Sequence, residues 1–251
     1  MKVLLLAAGV GTRLRPLTDH LPKCLAPISR QPLLAYWLER FVAEGFDEII
    51  VNTHHHAELV RRYLEASPWS RHLTILHEEV LLGTGGTLLG VRDRIAGGRV
   101  LMAHADNLTD FSPSALVATH ETRPPEAAIT MMTFRTDDPQ SCGIVELDDR
   151  AVVTAFHEKT ADPPGNLANA AVYVIEPEVF DFLDSRGSPR IDFSTEVLPH
   201  YLGRIFTYHW DGYHRDIGTL QSWAEAQLDF PAASRGAPDP VWNEILSLRP
   251  R

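Results

Sequence analysis

The sequence predicts an α/β fold: three layers, α/β/α, around a mixed and mostly parallel sheet, with a small β-rich elaboration in its second half. Two observations carry this. Through the first half of the chain, apolar runs of strand length alternate with amphipathic segments of helix length, the rhythm of strand–helix–strand units. From Cys142 onward the rhythm changes to short, closely spaced β-rich runs. At 251 residues, 44% hydrophobic and 22% charged, the chain is long enough to bury one large core and carry an elaboration.

The elements follow in order. Residues 2–7 form a continuous Val/Leu run, as expected of a strand covered on both faces. Residues 31–44 place Leu34, Trp37, Leu38 and Phe41 on one helical face. A short strand is expected over 48–52, a helix over 57–66 and a strand over 73–77. Residues 84–95 read as one helix through Leu88, Leu89 and Val91. A strand over 99–103, a helix over 113–121 and a strand over 127–134 complete the first series. Residues 143–147 and 152–158 read as a hairpin turning at Asp148-Asp149-Arg150. A strand over 170–175, a helix over 177–184, a strand over 204–210 and a helix over 220–230 follow. The tail beyond Pro231, rich in Pro, Ala and Arg, reads as a loosely attached extension. Internal repeats, including the hexapeptide kind that builds a β-helix, are absent from the sequence. In sheets of this class ligands bind beyond the carboxyl ends of strands. That singles out the loops after Ala7, His77 and Ala103.

Composition narrows the function. A net charge of -10 argues against a broad nucleic-acid-binding face, yet permits a local cationic site for phosphates. No apolar run is long enough to cross a bilayer. The run 3–10 leads into a Gly- and Arg-rich loop rather than a cleavage site, so it reads as a buried strand. The two cysteines, Cys24 and Cys142, read as reduced thiols of a cytoplasmic protein. Among 23 basic residues only Lys2, Lys23 and Lys159 are lysines. Ammonium and guanidinium are not interchangeable at a tight phosphate site, so Lys23 and Lys159 are candidates for specific roles.

The stretch Leu6-Ala-Ala-Gly-Val-Gly-Thr-Arg-Leu-Arg-Pro-Leu-Thr18 follows the first strand directly. Gly9 and Gly11 permit close backbone approach to a ligand. Thr12 and nearby amides offer hydrogen bonds to phosphate oxygens. Arg13 and Arg15 supply bidentate positive charge, and Lys23 follows Pro22. The loop lacks the Gly-Lys-Ser/Thr of a Walker loop and the third glycine of a dinucleotide fingerprint. Adjacent histidines His54, His55 and His56 lack suitably spaced partners for a metal.

Five segments, in order, resemble the sugar-1-phosphate nucleotidylyltransferases: residues 6–23, Leu82-Gly-Thr-Gly-Gly86, Ala105-Asp-Asn107, Phe156-His-Glu-Lys159 and Asp216-Ile-Gly-Thr219. The style is that of the short, single-domain mannose- or heptose-1-phosphate guanylyltransferase-like members. The resemblance reaches to about Phe230 and implies a Rossmann-like domain over 1–230, followed by a C-terminal extension over 231–251. Its nucleotide-binding part would span about 1–110 and its sugar-binding part about 111–230. It further implies that Arg13, Lys23 and Asp106 are catalytic. Leu6, Ala8, Gly9, Gly11, Thr12, Arg13, Lys23, Gly83 and Thr84 would meet the nucleotide; Glu78 and Glu79 lie just before Gly83, and either carboxylate offers acceptors to the donors of guanine. Gly143, Glu158, Lys159 and Asn169 would meet the sugar phosphate, and Asp106 and Asp216 would hold Mg2+, which prefers hard oxygen ligands.

The implied reaction is attack by a sugar-phosphate oxygen on the α-phosphorus of a nucleoside triphosphate, with release of pyrophosphate. GTP with mannose or manno-heptose 1-phosphate is favoured. The alternatives are uridylyl transfer to an amino-sugar 1-phosphate, cytidylyl transfer to an alcohol phosphate, and a non-catalytic nucleotide-sugar sensor. Retention of Arg13, Lys23, Asp106 and Asp216 argues against the sensor. A cytoplasmic monomer or homodimer is expected, without nucleic acid or membrane partners. The chain departs from the pattern at Cys24 (more commonly proline), Ala105 and Ala171 (more commonly glycine) and His214 (often tryptophan). The added methyls bear on the sugar more than on the reaction.

Overall fold

A computed structural model describes residues 1–231 and 236–247. In chain order the elements are β1 (Lys2–Leu6), β2 (Pro27–Ile28), β3 (Gln31–Pro32), α1 (Leu33–Ala43), β4 (Ile49–Thr53), α2 (Ala57–Ala66), β5 (Leu73–His77), α3 (Gly83–Gly90), α4 (Arg92–Ile95), β6 (Val100–His104), β7 (Asn107–Thr109), α5 (Pro113–Glu121), β8 (Ile129–Arg135), β9 (Gly143–Leu147), β10 (Val153–Glu158), β11 (Leu167–Ile175), α6 (Glu178–Ser185), β12 (Ile205–His209), β13 (His214–Asp216), α7 (Leu220–Asp229) and α8 (Pro240–Ser247). This is the α/β class that the alternation of apolar runs implies.

The chain forms two compact units whose segments interleave. The first comprises Met1–Leu4, Leu81–Ala103 and Ser112–Asp211, and the second Leu5–Val80, His104–Phe111 and Gly212–Arg251. Strand β1 is divided between them.

In the first unit the strand order runs β10-β9-β11-β6-β1. Strand β11 is antiparallel to β6 and to β8, and β12 lies parallel to β8. The expected hairpin forms with Val153 opposite Leu147 and Glu158 opposite Gly143. Its turn is held by Asp148, whose Oδ1 accepts from the Arg150 and Val152 amides, both at 2.9 Å. The helix expected over 84–95 is instead two. α3 ends at Gly90, and Val91, with φ -100° and ψ 5°, separates it from α4. Helix α5 starts as its sequence implies, with Ser112 accepting from the Ala115 amide and Pro113 in the first turn.

In the second unit β4 and β5 are parallel, with Ile49 opposite Leu73. Trp37 and Phe41 of α1 are buried, as the helical face requires. A core of Leu14, Ile28, Leu33, Tyr36, Leu108, Ile217 and Phe230 joins segments remote in sequence. The C-terminal segment corrects the expectation of a loose tail. Trp242 of α8 is buried and packs edge-on against Tyr63, with ring centroids 6.2 Å apart. The Tyr63 hydroxyl donates to Asp239 at 2.7 Å, and Gln31 Nε2 donates to the Ala237 carbonyl at 2.8 Å. Two anchoring aromatics outweigh a polar composition. Residues 232–235 and 248–251 of the tail lie outside the described residues.

Among the described residues no helix is long and apolar enough to cross a membrane. Cys24 and Cys142 are both free thiols. Cys24 is fully buried, and burial pushes its thiol up to about 12, so it is a packing residue rather than a nucleophile.

Candidate active site

The second unit gathers one charged constellation. β1 ends at Leu6, and Ala8 beyond it is buried while Gly9 is exposed. Gly11 adopts φ 67°, and a methyl there would lie 3.0 Å from both the Lys23 Cβ and the Thr18 methyl. Glycine is therefore required for the turn and for the approach of Lys23. The Thr18 hydroxyl donates to the Gly11 carbonyl at 2.8 Å and locks the loop. Thr12 and Arg13 lie on the short 3-10 turn that follows, both exposed.

Lys23 sits on a later 3-10 turn (Lys23–Leu25), after Pro22, and its side chain is only 7% exposed. Its Nζ donates to Asp106 Oδ2 at 2.7 Å and to Asp216 Oδ1 at 3.0 Å. Arg13 approaches the other oxygen of Asp216 at 3.7 Å. Burial opposes charge on Lys23, but Asp106 and Asp216 more than offset it and hold the ammonium above the ordinary lysine range. Burial likewise opposes ionisation of Asp106, and Lys23 and His104 overcome it, keeping the carboxyl below the usual range.

Two three-residue strands bring the carboxylates together. β7 and β13 pair antiparallel, with Asp216 opposite Asn107, the residue after Asp106. The Ile217 amide donates to the Asp106 carbonyl at 3.2 Å, and the Ala105 amide to the Leu6 carbonyl at 3.0 Å. Helix α1 supports β7 from behind: Trp37 Nε1 donates to the Asn107 carbonyl at 2.8 Å, and Arg40 to the carbonyls of Asp110 and Phe111 at 3.0 Å. Neither strand was expected. Three residues are too few for alternation to register.

Glu78 is buried, while the neighbouring Glu79 is exposed. Asn52, at the end of β4, holds it: Asn52 Nδ2 donates to Glu78 Oε1 at 2.9 Å, and Asn52 Oδ1 accepts from the Ala7 amide at 2.7 Å. Asn52 thus ties the glycine loop to Glu78. Its only sequence signal is a polar residue closing the apolar run Ile49-Ile50-Val51. The histidine run serves the same loops. His54 Nδ1 donates to the Glu78 carbonyl at 2.8 Å, and His55 Nε2 to the Thr18 carbonyl at 3.4 Å. His214 is half-buried, and desolvation of its ring pushes it down to about 3, so it stays neutral near Asp106.

The first unit holds the other predicted residues. Glu158 ends β10 opposite Gly143. A methyl on Gly143 would lie 2.6 Å from the Phe156 ring and 2.7 Å from Glu158 Oε2, so both side chains close directly over that backbone. Lys159 has φ 49°, donates its amide to the Cys142 carbonyl at 3.2 Å, and extends an exposed ammonium 3.5 Å from Glu158 Oε1. Asn169 lies on β11 beside a register shift that runs to Tyr173. Ala171, inside that shift, has φ 55°. His157 pairs with Glu146 at 2.7 Å across the hairpin. Gly83 and Thr84 open α3. Gly143→Ala is expected to displace Glu158 and Phe156, an overpacking worth about 1–3 kcal/mol. The result to look for is a thermal unfolding midpoint lowered by several degrees.

The site's chemistry is a cationic pair, Arg13 and Lys23, interleaved with two carboxylates that converge on one point. That point already accepts a cation, the Lys23 ammonium. Two carboxylates leave room for phosphate oxygens and water around a hard divalent ion. Among the described residues no group of three or more His, Cys, Asp or Glu is placed to hold a metal.

Comparison with known proteins adds the following. The family model described as nucleotidyl transferase matches residues 2–232. A mannose-1-phosphate guanylyltransferase of Mycobacterium tuberculosis is 32% identical over 229 residues, covering 89% of this chain and 63% of that protein. A probable mannose-1-phosphate guanylyltransferase 1 of Oryza sativa subsp. japonica is 29% identical, covering 87% of this chain and 61% of that protein. The chain thus spans about three fifths of the length of these curated relatives. Among solved structures, HddC from Yersinia pseudotuberculosis complexed with GMP-PN superposes with a TM-score of 0.77 at 20% identity, covering 92% of this chain and 99% of that one. A UDP-glucose pyrophosphorylase complexed with UDP-glucose gives 0.75 at 20% identity, covering 91% and 97%. These likenesses establish the shared fold.

Proposed function

The chain belongs to the nucleotidyl transferase family, and on that premise we propose that it transfers a guanylyl group from GTP to mannose 1-phosphate or a manno-configured heptose 1-phosphate. A phosphate oxygen of the sugar attacks the α-phosphorus, the bond to the β-phosphate breaks, and pyrophosphate leaves. The nucleophile is already an anion, so no general base is required. The work is to hold two anions in line and offset their repulsion.

The observation that carries this reading is the convergence of Lys23, Arg13, Asp106 and Asp216 beside the glycine loop. Arg13 is exposed and suited to the β- and γ-phosphates. Lys23 is suited to the α-phosphate, reached by turning its ammonium away from the carboxylates. A methyl at Gly9 would meet no protein atom within 4 Å. The protein itself does not need glycine there, which supports a ligand passing over that backbone. Asp106 and Asp216 would hold magnesium, which when bound supplies positive charge to the phosphates. In the first unit, Lys159 would bind the sugar phosphate and Glu158 and Asn169 the sugar hydroxyls. The relatives named above support guanine and mannose over the uridylyl alternative.

Glu78 is suited to the base. A buried carboxylate held by Asn52 accepts from the adjacent N–H and NH2 donors of guanine, a pattern that uracil lacks. The test is a matrix of the four nucleoside triphosphates against a panel of sugar 1-phosphates, read by pyrophosphate release. Turnover is expected to be highest with GTP and a manno-configured acceptor. The absence of turnover with every pair would overturn the reading. Glu78→Gln is expected to cut the preference for GTP over UTP by about tenfold or more, because a buried polar group is left mismatched. An unchanged ratio would remove Glu78 from base recognition.

A further inference from the structure

The first turn of α3 does not keep its amides free. The N–H groups of Gly85 and Gly86 both donate to the Ile191 carbonyl, at 2.9 and 3.1 Å, and the Ile191 amide donates back to the Leu82 carbonyl at 2.9 Å. The approach is so close that a methyl at Gly86 would lie 2.2 Å from the Pro189 carbonyl oxygen, and one at Gly83 2.5 Å from that of Ile191. The glycines therefore serve first to seat the segment 189–193 on α3.

Two residues further along that segment, the Phe193 amide donates to the Thr84 hydroxyl oxygen at 2.8 Å. Phe193 opens a single π turn (Phe193–Val197), a distortion common at functional sites. Its fully buried ring leans on the fully buried Tyr173, with centroids 4.9 Å apart and planes at 52°. The Tyr173 hydroxyl accepts from Asn169 Nδ2 at 2.7 Å. Asn169 Oδ1 accepts from the Ala171 amide at 2.9 Å, which fixes which way the amide faces. One Nδ2 hydrogen and one Oδ1 lone pair of Asn169 remain for a ligand hydroxyl. Burial pushes the Tyr173 hydroxyl well above its ordinary range, so it stays a neutral phenol beside Asn169.

We propose that the Thr84 side chain is a positioning residue for the sugar: its hydroxyl oxygen anchors Phe193, Phe193 seats Tyr173, and Tyr173 orients Asn169. The inference rests on the reading of Asn169 as a sugar contact under Proposed function. It assigns the Thr84 hydroxyl to the acceptor substrate, although the loop that bears it reads from sequence as a nucleotide contact. Thr84 touches neither substrate through this oxygen; it acts through Asn169. Each contact is a hydrogen bond or a ring contact between packed groups, so losing the first acceptor is felt at the last member.

The experiment uses the full chain with GTP and mannose 1-phosphate. Thr84→Val keeps the shape and loses the acceptor. Its KM for mannose 1-phosphate is expected to rise about three- to tenfold, the scale of one lost hydrogen bond, with a KM for GTP within about twofold. Thr84→Ser restores the oxygen and is expected to recover most of the loss. Tyr173→Phe, measured in case Thr84→Val folds poorly, is expected to raise the same KM. The double variant is expected to be less impaired than the product of the two, because both act along one path. A rise in the KM for GTP equal to or larger than that for the sugar overturns the proposal. So do unchanged constants in both single variants, and so does a Thr84→Ser variant as impaired as Thr84→Val. Those outcomes leave a working wild-type enzyme. A wild type that turns over no pair overturns the function reading itself, and this inference with it.

Discussion

Asp106→Asn is expected to lower turnover about 10³-fold, the upper end for loss of one preorganised electrostatic group. The asparagine keeps the size and the backbone contacts of Asp106, including the carbonyl that accepts from Ile217. It removes the negative charge that pairs with Lys23 and that the proposed reaction assigns to magnesium, and it turns an NH2 donor or a weak carbonyl acceptor toward Lys23. The side chain is 35% exposed, so an amide there is solvated rather than trapped. The fold should survive, with a thermal midpoint within a few degrees of wild type. The assay is magnesium-dependent pyrophosphate release with GTP and mannose 1-phosphate. Near-normal turnover would remove Asp106 from the metal site. A loss that excess magnesium partly restores would place the effect in metal affinity.

Lys23→Met should cost nearly as much turnover, about 10²- to 10³-fold, and it carries a second signature in stability. Methionine keeps the bulk packed beside Gly11 but removes the ammonium that bridges Asp106 and Asp216, leaving Arg13, 3.7 Å from Asp216, as the nearby cation. In wild type, burial opposes ionisation of Asp106 and the Lys23 ammonium reverses that, so the folded carboxyl titrates below its ordinary range. The resulting stabilisation is present above the ordinary carboxylate range and is lost as pH falls through the folded value. For Lys23 the folded value is raised. Its contribution is present below the ordinary lysine range and is lost as pH rises through the folded value. Without divalent cation, wild type should therefore outlast the variant at neutral pH. That advantage should shrink towards both strong acid and strong alkali. A pH-independent difference in unfolding midpoint would mean that Lys23 contributes packing and not charge.

Much of the fold was legible because its signals are local. The helix at 57–66, the strand at 73–77, the helix at 113–121 and the strand at 143–147 fall where their patterns place them. In the two helices the buried positions include the apolar ones their period predicts, Val60, Tyr63 and Leu64 in the first and Leu116 in the second. The misses share one cause. The pairing of β7 with β13 and the docking of α8 depend on partners far along the chain. Trp242 looks like a tail residue until Tyr63 and Asp239 are seen beside it. Glu78 and Glu79 are the same residue type one position apart, and only the position of Asn52 makes one of them a buried, oriented carboxylate. Thr84 carries no sign in sequence that its hydroxyl faces Phe193.

By itself the sequence determined the alternation of strands and helices, the glycine loop after β1 and the order of the charged segments. These depend on side-chain period, turn chemistry and backbone freedom over a few residues. The tertiary structure alone decided which charges neutralise which. Lys23 meets Asp106 across 83 residues and Asp216 across 193. Such a pairing depends on separation in space, because the attraction of an ion pair weakens with distance and is screened by solvent, and it has no local trace in the chain.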